Sequence, residues 1–168
     1  MYIFCPKLDM SIRIFIKLPF KSGILMKNLL EKLNYKGQKR IALINPDENF
    51  ILAPHDEIGE IQIDSEIDPK YPYDFMLIFV RKVTEVREIT PVALHNLTAD
   101  GILWFCYPKK TSKKHTSNID RDHGWKTLND LDFYGIRMVS IDDDWSALRF
   151  RNIKYIKATS DRFPAKKA

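Results

Sequence analysis

Residues 73–107 read Y-D-F-M-L-I-F-V-R-K-V-T-E-V-R-E-I-T-P-V-A-L-H-N-L-T-A-D-G-I-L-W-F-C-Y, and this stretch decides the fold. Two apolar segments of strand length, 74–80 and 102–107, lie on either side of an amphipathic segment of helix length. Strands that are apolar throughout are buried on both faces and pair in parallel. A parallel return through one helix is right-handed. The stretch therefore predicts a βαβ unit at the centre of a sheet, with Thr84 as the cap of its helix.

The sequence before this unit predicts further helices and strands. Its apolar spacing indicates a helix over 26–33, and the β-branched run at 39–45 indicates a central strand. Pro46 allows a helix over 46–52 with Asn45 as its cap. A short alternating strand is expected within 58–64.

The sequence after the unit predicts a helix and a hairpin. Asp122 begins a helix over 122–133, whose inner side carries Trp125, Leu128 and Leu131. Strands at 137–141 and 145–153 follow, joined by a tight acidic turn at 142–144, which indicates an antiparallel pair. The fold class predicted from all segments is α/β, a three-layer Rossmann-like and mainly parallel sheet with a C-terminal antiparallel hairpin.

The 168 residues are enough for one domain with its own core. We assign that domain to residues 26–156 and a flexible basic tail to 157–168. Residues 1–25 form an N-terminal extension, either an added edge strand or translated sequence upstream of the true start. We favour the second interpretation, because Met26 opens a well-formed helix.

The chain contains two cysteines, Cys5 and Cys106, and no C-x-x-C pair, which argues against a disulfide scaffold or a structural zinc site. Cys106 lies in an apolar run and is expected to be a small buried hydrophobe. Arg13 and Lys17 interrupt the N-terminal apolar run, which argues against a signal peptide. No stretch is long enough to span a bilayer. These features predict a cytoplasmic protein with no membrane partner.

The net charge of +5 is unevenly distributed along the chain. Residues 26–100 hold nine basic and thirteen acidic residues, whereas residues 101–168 hold fourteen basic and eight acidic ones. A basic C-terminal third favours an anionic partner such as a phosphate, a nucleotide or a nucleic acid. A protein without any such partner can show the same distribution, and that alternative stays open.

A basic loop follows the second apolar strand, at the edge where open α/β sheets bind ligands. Its charge and hydroxyl groups can hold a phosphate. It is not a Walker A loop, because the glycines are missing. The alternative is a solvated loop without a ligand. The predicted anion-binding residues here are Lys109, Lys110, Thr111, Ser112 and Lys113, with Arg121 beyond them.

Two tryptophans and an arginine complete the predicted ligand-binding set. Trp125 is either a core residue or a stacking face beside the basic loop. Alternation along the last strand places Leu148 and Phe150 in the core and leaves Trp145 and Arg149 on the opposite face. There they can bind an anion or, for Arg149, pair with the acidic turn at 142–144.

No catalytic residue, metal site or cofactor is predicted from the motifs. His115 and His123 match no metal-ligand spacing. Ser112 and Ser117 lack the G-x-S-x-G context of a nucleophile elbow.

Two resemblances accompany these patterns. The layout of residues 39–153 resembles class I S-adenosylmethionine-dependent methyltransferases, in which strands, helices and a closing hairpin follow in this order. The blocks Y-P-K-K-T-S-K (107–113), D-H-G-W (122–125) and D-D-D-W-S-A-L-R-F-R (142–151) are similar to a family of small uncharacterised bacterial proteins. That resemblance covers about residues 26–151 and implies a methyltransferase-like core without an assigned activity.

The chain departs from the methyltransferase pattern at the cofactor turn. Their first strand ends in a glycine-rich turn, followed by an acidic residue at the end of the next strand for the ribose. Here the first strand ends in I-N-P-D-E-N-F, and no glycine lies between Gly37 and Gly59. Asp64 or Glu66 is the nearest match for the ribose acid. We therefore expect the fold without the cofactor site.

The functional hypothesis from sequence is a non-catalytic Rossmann-like domain that binds an anionic small molecule or partner through the basic loop. The first alternative is a divergent methyltransferase with a modified cofactor pocket between the Asn45 loop and the strand at 74–80. The second alternative is a module that binds nucleic acid or protein. Few aromatic residues alternate with the lysines, which disfavours specific single-strand recognition.

Overall fold

The computed structural model describes residues 29–52, 61–157, 161, 163 and 164. Expectations for the N-terminal extension, for the start of the first helix and for most of the tail lie outside these residues. Residues 29–32 are helical, as predicted for that part of the segment. No helix in the described part of the chain is both long and apolar enough to cross a bilayer.

Six strands of the described chain form one sheet in the order β2-β1-β3-β4-β6-β5. The strands are β1 Arg40–Ile44, β2 Gln62–Asp64, β3 Tyr73–Phe79, β4 Leu97–Pro108, β5 Phe133–Ser140 and β6 Trp145–Asn152. Among the described residues, helices α1 Val83–Asn96 and α2 Lys126–Asp130 and a 3₁₀ turn at Ile153–Tyr155 accompany these strands, together with the helical residues 29–32.

The strand pairing confirms the predicted mainly parallel sheet. Strand β3 pairs in parallel with β1 on one side and β4 on the other, and β2 joins the outer edge of β1, also in parallel. Strand β6 is antiparallel to both β4 and β5, which confirms the C-terminal hairpin. The carboxylate of Asp142 accepts hydrogen bonds from the backbone of Asp144 and Trp145, each at 2.8 Å, and so closes the acidic turn.

Both faces of the central strands are buried, because the side chains of β3 and β4 alternate between two separate cores. Fully burying one large apolar side chain contributes roughly 1.5–3 kcal/mol, so β3 and β4 carry much of the stabilisation. The core on the α1 and α2 side includes Met76, Ile78, Val86, Phe105, Trp125 and Leu128. The core on the opposite face includes Leu33, Phe75, Leu77, Trp104, Cys106 and Trp145.

Helix α1 is fixed at its start by side chains other than the predicted cap. The Glu85 carboxylate accepts hydrogen bonds from the backbone of Arg81 at 2.5 Å and of Lys82 at 3.2 Å. Asn118 Oδ1 accepts the Val83 N–H at 3.0 Å. The predicted cap, Thr84, lies inside the first turn of the helix.

The segment after β1 is a turn, so the predicted helix over 46–52 is wrong. An N-cap residue has an extended backbone, but Asn45 has φ 49° and therefore cannot start a helix as its cap. Phe50 and Leu52 are buried, and Phe50 packs on Phe79 with ring centroids 4.8 Å apart. The chain turns at Asn45 to deliver these two side chains to the core.

The predicted helix over 122–133 is also shorter than expected. Helix α2 begins at Lys126, because the carboxylate of Asp120 binds the backbone N–H groups of Asp122 and His123 and holds a loop there. It ends before Asp132, whose φ of 64° turns the chain into β5. Leu131 was expected on the inner side, yet it is exposed.

Candidate functional site

A cleft of about 720 Å³ opens between the carboxyl ends of β1 and β3. The chain runs from β1 outward to β2 and then returns past β1 to β3, so the strand order reverses between β1 and β3. Open α/β sheets bind ligands at such a switch point, outside the carboxyl ends of the strands. The residues that line the cleft are Asn45, Pro46, Asp47, Glu48, Asn49, Phe79, Arg81, Glu85, Lys114 and His115.

Asn45 lines the cleft at the end of β1. Its left-handed backbone, with φ 49°, makes the sharp turn for which glycine is the usual residue. Asparagine is among the few other residues that adopt this conformation at low cost. The missing glycine therefore did not abolish the turn. Pro46 lines the cleft beside it, and the expected absence of the cofactor site stays a prediction.

Asp47 joins three parts of the cleft wall. Its Oδ1 lies 3.4 Å from Arg81 Nη2 at the end of β3 and 3.2 Å from His115 Nε2 on the loop after β4. Both contacts are longer than the 2.7–2.9 Å of a strong charge-assisted hydrogen bond. Arg81 and His115 can therefore make better contacts with a ligand than with Asp47.

An aromatic wall lies behind these charged groups. The Arg81 guanidinium carbon is 4.9 Å from the centre of the Trp145 ring, and the His115 ring is 5.1 Å from it. Trp145 lies on the face of β6 opposite Leu148 and Phe150, as predicted, but it is only 1% exposed and belongs to the second core, so it is not open to a ligand. Its Nε1–H is buried with no acceptor in the described residues. A buried donor without a partner costs free energy, so this N–H is an unsatisfied group beside the cleft.

The basic loop is largely held by acidic partners and by the hairpin. Lys109 Nζ donates to Ser140 Oγ at 2.8 Å, and Ser112 Oγ donates to Asp144 Oδ1 at 2.7 Å. The hydrogen bond from Ser112, with the Lys114 ammonium 3.4 Å away, holds the pKa of Asp144 below its usual value. These contacts place Lys114 and the following His115 at the cleft.

The remaining cations of the loop lie at the surface. Lys110 Nζ pairs with Asp120 Oδ2 at 2.9 Å, and this contact is the largest cause of the lowered pKa of Asp120. Thr111, Lys113 and Arg121 are exposed, and no ion pair involves Lys113 or Arg121 within the described residues. The predicted anion-binding role of this loop stays a prediction.

Trp125 is a core residue, which was the first of its two predicted roles. It is 4% exposed and packs against Phe105, Tyr107 and Phe150. Its Nε1 donates to the backbone carbonyl of Asp120 at 2.8 Å. The buried Trp125 ring therefore stabilises the loop at Asp120 and offers little surface to a stacked ligand.

Arg149 lies far from the basic loop. Its partner across β4 is Trp104, whereas the first residue of β6, Trp145, pairs with Pro108 at the carboxyl end. Arg149 makes no ion pair with the acidic turn at 142–144, which corrects that alternative. The structure thus separates Arg149 from the other predicted ligand-binding residues.

The predicted ribose acid at Asp64 is engaged elsewhere. Asp64 Oδ2 accepts a hydrogen bond from Arg40 Nε at 2.6 Å and another from the Tyr73 hydroxyl. Glu66 is exposed just beyond β2 and does not line the cleft.

Sequence reasoning missed Asp47, Arg81 and His115 as a group. They are separated by more than thirty residues along the chain and meet only because β1, β3 and the loop after β4 end at one edge of the sheet. The sequence signal that could have identified these three residues is their position. Each follows a predicted parallel strand, and open α/β sheets bind ligands at that edge.

Comparisons with known proteins agree with the fold. No protein-family model matches the chain, and no curated protein matches its sequence. Among solved structures, the N-methyltransferase NodS from Bradyrhizobium japonicum WM9 in complex with S-adenosyl-L-homocysteine matches with a TM-score of 0.50 and 17% identity, over 77% of this chain and 86% of that chain. A second NodS structure matches with a TM-score of 0.45 and 16% identity, over 76% and 94% of the two chains. At such identity the first match shows a shared methyltransferase-like fold, as the resemblance in layout implied.

Proposed function

We propose that this chain is a divergent S-adenosylmethionine-binding domain of the methyltransferase type, with its ligand in the cleft between the Asn45 turn and the end of β3. The observation that carries the proposal is the open cleft of about 720 Å³ at the point where the strand order reverses. That volume is within the range of small-molecule sites.

The charges of the cleft favour a zwitterion over a polyanion. Three carboxylates line it, from Asp47, Glu48 and Glu85, together with the cations of Arg81 and Lys114. A polyphosphate would meet repulsion from the carboxylates. S-adenosylmethionine carries an ammonium, a carboxylate and a sulfonium, and therefore presents both signs of charge.

The residues present fit such a ligand by the chemistry of their donors and acceptors. Arg81 can bind a carboxylate with two parallel hydrogen bonds, while Glu48 and Asp47 supply acceptors for an ammonium. The unsatisfied indole N–H of Trp145 lies behind Arg81 and can gain an acceptor if the wall rearranges around a ligand. When bound, S-adenosylmethionine supplies an activated methyl group on its sulfonium.

Isothermal titration calorimetry with S-adenosylmethionine and S-adenosylhomocysteine tests the proposal. We expect micromolar dissociation constants for the unchanged chain. Replacing Arg81→Gln removes a charged hydrogen bond worth about 1.5–3 kcal/mol, so affinity should fall roughly 10- to 100-fold. Lys126→Gln is the matched control, because Lys126 is exposed on α2, does not line the cleft and pairs with Asp130. Absence of binding at millimolar ligand by a folded protein would overturn the proposal.

Anion binding at the basic loop is the second candidate function. It is favoured by Lys113 and Arg121, which are exposed and have no acidic partner in the described residues. If these two cations bind a phosphate, the affinity of the unchanged chain for inorganic phosphate should fall with salt. The double variant Lys113→Gln with Arg121→Gln should then lose that binding.

A further inference from the structure

Three arginines share one face of the C-terminal hairpin. Arg149 and Arg151 lie two residues apart on β6, so their side chains leave the same face of the strand. Arg137 on β5 is directly opposite Arg149 in the antiparallel register. Side chains that face each other in this way have their Cβ atoms only about 4.5–5.5 Å apart. We call these three residues the arginine cluster.

One acidic residue neutralises only part of the arginine cluster. Arg151 Nε and Nη2 bind the two carboxylate oxygens of Asp100, each at 2.6 Å. Within the described residues neither Arg137 nor Arg149 has an acidic partner, so three positive charges against one negative leave a local charge of +2.

Arg149 is the member of the arginine cluster whose side chain is partly buried and lacks a hydrogen-bond acceptor in the part of the chain that the structure describes. Its guanidinium is half-buried, and its Nε is buried without any hydrogen-bond acceptor in the described residues. Burial, followed by the nearby charges of Arg151 and Arg137, lowers the pKa of Arg149. Like charges directly opposite each other on paired strands are destabilising, so the free protein holds this arrangement at a cost.

We propose that the arginine cluster is a binding site for a small molecule with a dianionic phosphoryl group. Two arginines without acids match a doubly charged group better than a single carboxylate. The planar guanidinium donates paired hydrogen bonds that fit phosphate oxygens. If the Arg149 side chain turns toward the ligand, a phosphoryl oxygen also gives its buried Nε the acceptor that it lacks.

The arginine cluster is independent of the cleft. Arg149 lies opposite Trp104, and Asp100 precedes the buried part of β4, so the cluster sits toward the amino end of β4. The cleft is at the carboxyl ends of the parallel strands. Ligand binding at one site therefore does not require the other, and this proposal does not rest on the proposed function.

Thermal unfolding in sodium pyrophosphate tests the proposal, with sodium chloride at equal ionic strength as the reference. For the unchanged chain, we expect 10 mM pyrophosphate to raise Tm by roughly 2–4 °C. The variants Arg137→Gln and Arg149→Gln should each lose this shift. Arg87→Gln, an exposed arginine on α1 without an ion pair among the described residues, is the matched control and should keep it.

A measurement without ligand distinguishes a binding site from a structural role. Arg137 is exposed and has no acidic partner in the part of the chain that the structure describes. Arg137→Gln therefore relieves repulsion and should raise Tm in chloride alone, whereas loss of a structural contact would lower it. Because Arg137 lies at the surface, this variant remains informative if Arg149→Gln does not fold. The proposal is overturned if pyrophosphate gives the unchanged chain no shift, if Arg87→Gln loses the shift equally, if Arg137→Gln lowers Tm in chloride, or if only a dT12 oligonucleotide stabilises the protein.

Discussion

Tyr73 begins the central strand β3 and holds a polar network at the amino end of the sheet. Its buried hydroxyl donates to the Asp64 carboxylate and accepts the Asp68 backbone N–H at 3.1 Å. Arg40 binds the same two aspartates through Nε at 2.6 Å and Nη2 at 3.0 Å. The network therefore connects β1, β2 and β3 at the end opposite the cleft.

Replacing Tyr73→Phe should lower the free energy of unfolding by about 1–3 kcal/mol, because it leaves two polar groups without their hydrogen-bond partner. Urea unfolding followed by circular dichroism measures the change. Tyr134→Phe is the control, since the Tyr134 hydroxyl makes no hydrogen bond within the described residues. Equal effects of the two substitutions would contradict a specific role for the Tyr73 hydroxyl.

Burial and then the hydrogen bond to Asp64 raise the pKa of Tyr73 to about 12. An unfolded tyrosine titrates near 10. Since the folded pKa is the higher one, the contribution of Tyr73 to stability is fully present below pH ~10 and is lost as the pH rises toward about 12. Phenolate absorbance should show one tyrosine titrating late in the unchanged chain, and Tyr73→Phe should remove that late component.

Asp120 provides the opposite pH dependence. The Lys110 ammonium, then the backbone N–H of Asp122 and the His123 side chain, lower the pKa of Asp120. The folded pKa lies below the unfolded value of about 3.9, so the stabilisation is present above pH ~4 and is lost as the pH falls further.

Replacing Asp120→Asn should reduce the free energy of unfolding by about 1 kcal/mol at pH 7, a modest value because the ion pair with Lys110 is exposed. The difference from the unchanged chain should shrink at pH 3, because Asp120 is then largely protonated in the unfolded state, whereas its lowered pKa keeps it ionised in the folded state. Denaturant unfolding at the two pH values is the measurement. Asp122→Asn, at an exposed position whose carboxylate has no partner in the described chain, should show no such pattern.

At the scale of elements, the short turn after β1 determines whether the cleft exists. Asn45 adopts φ 49°, and the chain then returns Phe50 to the core against Phe79. A helix in this segment, as the sequence pattern indicated, would start from an extended residue instead. The turn thus depends on one residue that tolerates the left-handed conformation.

Asn45→Gly should leave stability nearly unchanged, because glycine adopts this conformation without a steric penalty. Asn45→Val should cost about 1–2 kcal/mol, because a β-branched residue is strained there. Urea unfolding measures both. Asn49→Val, in the same exposed turn but without positive φ, is the matched control and should change stability little. A neutral Asn45→Val would argue against the left-handed turn.

At the scale of the whole molecule, the sheet divides the described chain into two cores. Leu77 and Ile78 are adjacent on β3, and each is fully buried in a different core. Met138 lies on the outer strand β5 and is 49% exposed. The free energy of unfolding should therefore change much more when side chains of β3 are truncated than when the exposed side chains of β5 are.

Leu77→Ala and Ile78→Ala should each lower the free energy of unfolding by about 2–5 kcal/mol, since each leaves a cavity in a packed core. Met138→Ala should cost less than about 1 kcal/mol, because its side chain is half in solvent. Differential scanning calorimetry of the three variants gives the comparison. A small effect for either β3 variant would show that one face of the strand is less well packed than the structure indicates.

The central βαβ unit was predictable because its signal is local. Continuous apolar runs at 74–80 and 102–107 require burial on both faces, and the helix between them requires a parallel return. The hairpin was also predictable from a local signal, because the acidic turn at 142–144 joins two strand-like segments directly. Helix ends were less predictable. The carboxylate of Asp120 holds a loop by hydrogen bonds, and Asn45 adopts a left-handed backbone conformation; a helical pattern of apolar residues reports neither.

The sequence by itself determined the fold class, the order of the central strands along the chain and the burial of Cys106, because each follows from hydrophobic pattern over neighbouring residues. Only the tertiary structure decided which charged groups meet. Asp47, Arg81 and His115 converge at one edge of the sheet, and Arg137 faces Arg149 through strand register. These pairings depend on where strands end and how they align across the sheet, and no local pattern of residues encodes that.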